Sequence, residues 1–253
     1  MNREHLLKAL AKGVRYDGRK LDEYRPVKVE KDVSHSAEGS AKVTIGATEV
    51  IVGVKMGCEK PYSDTPEEGN LMVNVELLPL SADRHEPGPP TQEGIELSRV
   101  TDRGIRESKA LDVKKLCVTK GELVWNIMVD ACTLNDDGGM FDAIGLGAMA
   151  ALQNAKYPEL EDGVVNYDKK SDVGVPLDRD PLPVTVYKAG PHLFVDPTIQ
   201  EQLFADSRLT ISVTRENTIV ALQKGGPGTL TVADIDTMVG IALKKAPELR
   251  KAL

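Results

Sequence analysis

Residues 131–155, ACTLNDDGGMFDAIGLGAMAALQNA, decide how the chain is read. The apolar start belongs to a strand over 123–134, Asp137-Gly138-Gly139 is a tight turn, and 141–155 is a helix of small and apolar residues. A glycine turn feeding a helix N-terminus aims backbone N–H groups and the positive end of the helix dipole at whatever sits there, which is the shape of a phosphate cradle. The chemistry of a cradle is missing. A working anion site adds a hydroxyl or a cation, whereas this loop continues with Met140 and Phe141, and the carboxylates of Asp136, Asp137 and Asp142 repel phosphate. Read alone, the segment is an acidic strand-turn-helix connection. The spacing Gly145-x-Gly147-x-x-Ala150 lets its helix pack closely on a sheet.

Outward from this segment, β-branched alternation predicts strands over 27–33, 40–45 and 50–55, with a turn at Gly46, and a central apolar strand over 71–78. Pro87-Gly88-Pro89-Pro90 breaks the chain before a helix over 91–109. Residues 159–180 are polar and read as a linker or excursion. Strands follow over 182–188, 193–196, 209–214 and 218–223, with a short helix over 199–204. A final helix begins near Thr231, and Val232, Ile235, Val239, Ala242, Ala246 and Leu249 mark its buried face. Strands followed by helices, twice, indicate an α+β fold. The division is an N-terminal helix and entry loop over 1–26, a first half over 27–160, a polar connection over 161–181 and a second half over 182–253.

Composition narrows the function classes. A chain of 253 residues can bury roughly 70–75% of its unfolded surface. No apolar run approaches the ~20 residues of a membrane span, and residues 1–13 carry charges rather than a signal segment, so the chain is expected in the cytoplasm. Cys58, Cys117 and Cys132 are scattered and lack disulfide or zinc spacing, and Cys117 and Cys132 read as core residues. The four histidines are scattered too, and Asp136 with Asp137 lacks a third metal ligand. No metal or cofactor is implied. The net charge of −7 disfavours non-specific nucleic-acid binding by the surface as a whole. One local exception runs from 99 to 120, where seven Lys and Arg residues face three Asp and Glu, 7 − 3 = +4.

Within that patch Arg99, Arg103 and Arg106 fall within about 60° of one another on the predicted helix. Leu97, Val100 and Gly104 lie roughly opposite. The plain reading is a solvated face with intrahelical ion pairs Glu96–Arg99, Asp102–Arg106 and Arg103–Glu107. The functional reading is a row of guanidinium forks gripping phosphate oxygens. Three Phe, one Trp and six Tyr leave few stacking platforms for bases, so contacts to a nucleic acid would go to its backbone without sequence preference.

Three runs carry a family resemblance: PYSDTPEEGNLMVNVELLPLSA (61–82), DGRKLDEYRPV (17–27) and ELSRVTDRGIRESKALD (96–112). Together they resemble the RNase PH family, and within it the non-catalytic ring subunit of the archaeal exosome. The likeness extends from about Arg15 to the C-terminus. It implies the RNase PH-like fold (ribosomal protein S5 domain 2-like), with two β-rich halves packed with helices. In active members the loop matching Gly138-Gly139 continues with Thr or Ser and often Arg, which hold inorganic phosphate. Here Met140 and Phe141 follow. Active members also carry a catalytic Asp in a segment like Asp-Met-Pro-Val-Ala. The matching segment is Pro181-Leu182-Pro183-Val184-Thr185, so Pro181 stands at the Asp position, with Asp178 and Asp180 nearby. The resemblance therefore implies a non-catalytic, RNA-binding ring subunit with Arg99, Arg103 and Arg106 on the RNA path. Its implied partners are a catalytic RNase PH-like subunit in a trimer of heterodimers, RNA-binding cap proteins and single-stranded RNA. The alternative is a phosphorolytic 3′→5′ exoribonuclease active on its own.

Overall fold

A computed structural model describes residues 3–161 and 163–253. Met1 and Asn2 of the 1–26 segment and Asp162 of the 161–181 connection lie outside the described residues. The first sheet contains β1 (Val27–Lys31), β2 (Gly39–Ile45), β3 (Thr48–Glu59), β4 (Asn70–Glu76), β5 (Cys117–Thr119) and β6 (Leu123–Asn135) in the order β1-β2-β3-β6-β4, with β5 beside β6. β1, β2, β3 and β6 pair antiparallel. β4 pairs parallel to β6, and the crossover between them is α2 (Gln92–Glu107). The second sheet is antiparallel in the order β10-β9-β11-β12, built from β9 (Leu182–Ala189), β10 (His192–Val195), β11 (Ser207–Val213) and β12 (Ile219–Gly225).

Between the sheets runs α3 (Met140–Asn154), with contacts to β2 and β3 on one side and β9 on the other. Thirteen of its 15 residues are buried, which is why it is apolar all round rather than striped. Its glycines set the two spacings. A Cβ at Gly145 would collide with the Pro183 ring of β9, and one at Gly147 would lie 2.7 Å from Val52 of β3. The sequence predicts one close sheet contact; the structure has two, on opposite faces. Asp142, in the first turn, is 1% exposed and accepts the Tyr24 hydroxyl at 2.6 Å. Burial pushes its carboxyl up to about 7, against the hydrogen bonds from Tyr24 and Thr185 that favour its charge.

The structure decides one open sequence reading and differs from two expectations. Of the two readings of the polar stretch 159–180, the structure has the excursion, a hairpin of β7 (Lys156–Glu161) and β8 (Val164–Gly174). Backbone pairing carries it, and it is anchored by Tyr157 on Trp125 (ring centroids 5.1 Å apart) and by Tyr167 under Lys55. An arm held at a few points needs no continuous apolar pattern, so little in the residue order signals it. In α5 (Val232–Arg250) the capping box Thr231/Asp234 forms, and Ala242, Ala246 and Leu249 are buried. Val232 and Ile235 are exposed, although Asp234 of the same turn accepts from Lys188 of β9. Cys117 and Cys132 are half-buried rather than core: Cys117 lies in the short β5, whose other two residues are exposed, and Cys132 shares the less covered face of β6 with Met128 and Asp130. α1 (Arg3–Leu10) buries Leu6 and Leu10 against Tyr187, Ala189 and Phe194, and α4 (Ile199–Gln202) closes the turn before β11.

The interior makes two measurable claims. Gly145→Ala should lose about 1–2 kcal/mol net, overpacking against the rigid Pro183 ring outweighing the gain in helix propensity. Gly240→Ala in α5, where a Cβ meets nothing within 4 Å, should gain about 0.5–1 kcal/mol; urea midpoints of the two variants should move in opposite directions. For Asp142 the folded-state pKa of about 7 exceeds the ordinary 3.8, so the folded state holds the proton more tightly. Its contribution to stability is full below about pH 4, is lost as pH rises to about 7, and totals at most ~4 kcal/mol. Asp142→Asn should remove that decline, so the difference between variant and wild type should grow from pH 4 to pH 7 and then stay level.

Candidate nucleic-acid interface

The glycine loop is closed on itself. Gly138 (φ +83°) and Gly139 (φ +73°) both take the left-handed conformation that favours glycine, and Gly139 is the N-cap of α3. The Gly138 N–H donates to Asp136 Oδ1 at 3.0 Å and the Gly139 N–H to Gln202 Oε1 at 3.2 Å. Two donors that an anion would need are thus met by the protein's own oxygens. Behind them, Arg25 donates to the carbonyls of Asp137 and Gly138 and pairs with Asp137 and Asp196. Asp196, 1% exposed, also takes Arg19, while Arg15 is sealed against Glu201 and the carbonyls of Val195 and Asp196. The run 17–27 therefore braces this loop through Arg19 and Arg25, a role its turn-rich composition does not signal.

Met140 and Phe141 point into the protein, at 2% and 6% exposure. Arg208 of β11 lies over the Phe141 ring, 4.4 Å from its centroid. Beside them is a cavity of about 270 Å³ lined by Glu93, Glu96, Phe141, Tyr187, Gln202 and Arg208. The acidic residues predicted to repel phosphate do not face it as free charges. Asp142 is turned inward to Tyr24, Asp137 is paired with Arg25, and Asp136 is held by Arg84 and by His85 at 3.1 Å. Glu93 and Glu96 line the cavity instead, and nothing in the local sequence marks them for that place.

Pro181 is buried in a narrow apolar crevice with Val100, Gly104, Gly145 and Met149. Asp180, its neighbour, is 7% exposed and engaged elsewhere: Arg215 Nη2 lies 2.7 Å away and Arg250 Nε 3.2 Å. Asp178 faces Lys115 at 3.5 Å. Both nearby carboxylates are therefore committed to cations of the second half or the surface.

α2 begins at Thr91, whose hydroxyl accepts the Gly94 N–H, and it buries Leu97, Val100, Thr101, Gly104 and Ile105. Arg99, Arg103 and Arg106 all lie on the exposed side. Their surroundings differ. Arg106 is pinned by Asp102 at 2.8 Å and by the Leu71 carbonyl at 3.0 Å. Arg103 donates to Gln223 Oε1 of β12 at 3.0 Å instead of pairing with Glu107. Arg99 has no hydrogen bond or ion pair among the described residues, because Glu96 turns to Arg208, 2.6 Å away. Of the three intrahelical pairs expected, only Asp102–Arg106 forms. Arg208 and Gln223 come from the second sheet, and no local spacing could have announced them.

Comparison with known proteins bears on the family and the fold. The model of the 3′ exoribonuclease family, RNase PH, matches in both its domains, domain 1 over residues 23–158 and domain 2 over 181–245. The chain is 42% identical to exosome complex component Rrp42 of Pyrococcus horikoshii, covering 98% of this chain and 92% of that one. It is 41% identical to the protein of the same name from Methanosarcina acetivorans, covering 99% and 92%. Among solved structures it superposes on a chain of the Archaeoglobus fulgidus exosome with RNA bound to the active site at a TM-score of 0.92, with 42% identity over 98% of this chain and 96% of that one. An archaeal exosome core chain gives a TM-score of 0.88 at 39% identity, covering 98% and 94%. Rice Rrp46 shares the fold at a TM-score of 0.70 and 15% identity. With both domains matched and relatives above 40% identity across nearly its whole length, the chain belongs to the RNase PH family of 3′ exoribonucleases.

Proposed function

We propose that this chain is a non-catalytic, RNA-binding ring subunit of an exosome, acting in the cytoplasm. It would alternate with a catalytic RNase PH-like subunit in a trimer of heterodimers, beneath RNA-binding cap proteins. The carrying observation is the self-satisfied glycine loop: its Gly138 and Gly139 N–H groups are spent on Asp136 and Gln202, and Met140, Phe141 and Pro181 supply neither hydroxyl nor carboxylate. Phosphorolysis places inorganic phosphate in line with the terminal phosphodiester and stabilises the charge that develops there, and positioned donors supply most of that rate. This chain lacks those donors at that place. What it offers is Arg99 and Arg103 on an exposed helix face, able to hold RNA phosphates while a neighbouring subunit performs the chemistry. Relatives called exosome components, and an RNA-bound exosome among the structural matches, support the same reading.

Two outcomes test it. The purified chain alone should release no nucleoside diphosphate from RNA in phosphate buffer, whereas the ring formed with its catalytic partner should; phosphate-dependent shortening by the isolated chain would instead favour the autonomous exoribonuclease. Replacing Arg99 and Arg103 together with Glu should leave the ring's mass unchanged and weaken its RNA binding to a similar degree for different sequences. The log–log salt slope on single-stranded RNA should flatten by about 0.7 for each phosphate no longer neutralised. Unchanged affinity in an intact ring would make the row a solvated face.

A further inference from the structure

Arg99 is open only because of what happens to Glu96. The two are one turn apart on α2, the spacing at which an acidic and a basic side chain pair on a helix surface. Glu96 is drawn off by the second sheet instead. Its Oε2 lies 2.6 Å from Arg208 Nη2, and its Oε1 accepts from Gln223 Nε2 at 3.4 Å. Arg208 is well seated for this. Its guanidinium lies over the Phe141 ring and its side chain is 15% exposed. It also passes across Gly225, its register partner on β12, where a Cβ would collide with the guanidinium. A partly desolvated, stacked guanidinium outcompetes a fully solvated one for the same carboxylate.

We infer that Arg208 is a positioning residue for the RNA contact: by holding Glu96 against the second sheet, it leaves the Arg99 guanidinium unpaired for a backbone phosphate. The inference rests on the reading of Arg99 as a phosphate ligand. It adds a residue that need not touch RNA at all and lies more than a hundred positions away in the chain. Without Arg208, Glu96 is free to swing back one turn. It would then neutralise Arg99 and place a carboxylate beside the incoming phosphate. Gln223 assists from the same strand pair, with one end of its amide on Glu96 and the other on Arg103.

The test uses the ring assembled with its catalytic partner and single-stranded RNA of mixed sequence, with affinity measured across a salt series. Arg208→Ala should weaken binding about fivefold at moderate salt and flatten the log–log slope by about 0.7, the signature of one phosphate released from its cation. Gly225→Ala should shift both readouts in the same direction, because it displaces Arg208 without changing any charge, and it serves if Arg208→Ala fails to assemble. The deciding variants add Glu96→Gln to each. With no carboxylate left to capture Arg99, affinity and slope should return to wild-type values. Failure of Glu96→Gln to restore binding would overturn the inference, since Arg208 would then be contacting RNA or merely supporting the fold. Full affinity in both Arg208→Ala and Gly225→Ala, with weakened binding on replacing Arg99 and Arg103, would overturn it while leaving the RNA-binding reading intact. Full affinity in every variant, the Arg99 and Arg103 replacement included, would overturn that reading as well.

Discussion

Both the glycine loop and the arginine row are positioned by α3 and the thinness of its waist. A helix pinned between two sheets must let both approach. Gly145 admits Pro183 from one side and Gly147 admits Val52 from the other. Interiors pack too densely for either contact to be relaxed alone. Because α3 starts at the glycine loop, this clamp also fixes where that loop meets the turn before α4. α2 packs on α3, β4 and β12 together, so its exposed face is oriented by the same clamp.

The glycine loop is occupied as well as depleted. A loop that merely lacked a hydroxyl would keep backbone donors aimed at solvent. Here Gln202 and Asp136 sit on those donors, and Arg25 and Asp196 lock the carbonyl side. Breaking a buried ion pair by removing one partner leaves an uncompensated charge and costs about 3–5 kcal/mol. The closed loop is therefore held by groups whose removal would threaten the second half of the protein. On the non-catalytic reading, absent chemistry and added rigidity are two aspects of one arrangement.

How much of this is legible in the sequence depends on distance along the chain. The strand-turn-helix at 131–155, the start of the last helix near Thr231 and the clustering of Arg99, Arg103 and Arg106 are local patterns, and the structure contains each of them. Local rules mislead where partners come from afar. Glu96–Arg99 and Arg103–Glu107 have good helical spacing, yet Arg208 and Gln223 take the two side chains that matter. Likewise Asp142 reads as a surface charge in the first turn of a helix, and only the second sheet, arriving through Thr185 and Tyr187, makes it a buried carboxyl. The β7–β8 hairpin escapes a sequence reading for a different reason: backbone pairing and two aromatic anchors hold it, and neither leaves a periodic trace.

The arginine row is graded rather than uniform, and on the RNA-binding reading this is how an acidic chain offers a phosphate site. Arg106 is spent on Asp102 and a backbone carbonyl, so it stiffens the helix end and is poorly placed to bind. Arg103 keeps its charge but has its orientation fixed by a neutral amide, which a phosphate can displace or share at little cost. Arg99 is fully available among the described residues. Exposed charges more than a Debye length of about 8 Å apart are largely screened, so the net charge of −7 bears little on a phosphate already at the helix. Within that length the arrangement of individual pairs decides, and here the competing carboxylate is drawn to another sheet. On the RNA-binding reading, an arginine row in which Arg99 is unpaired among the described residues and Arg103 is held by an amide suits RNA already delivered to an overall negative protein.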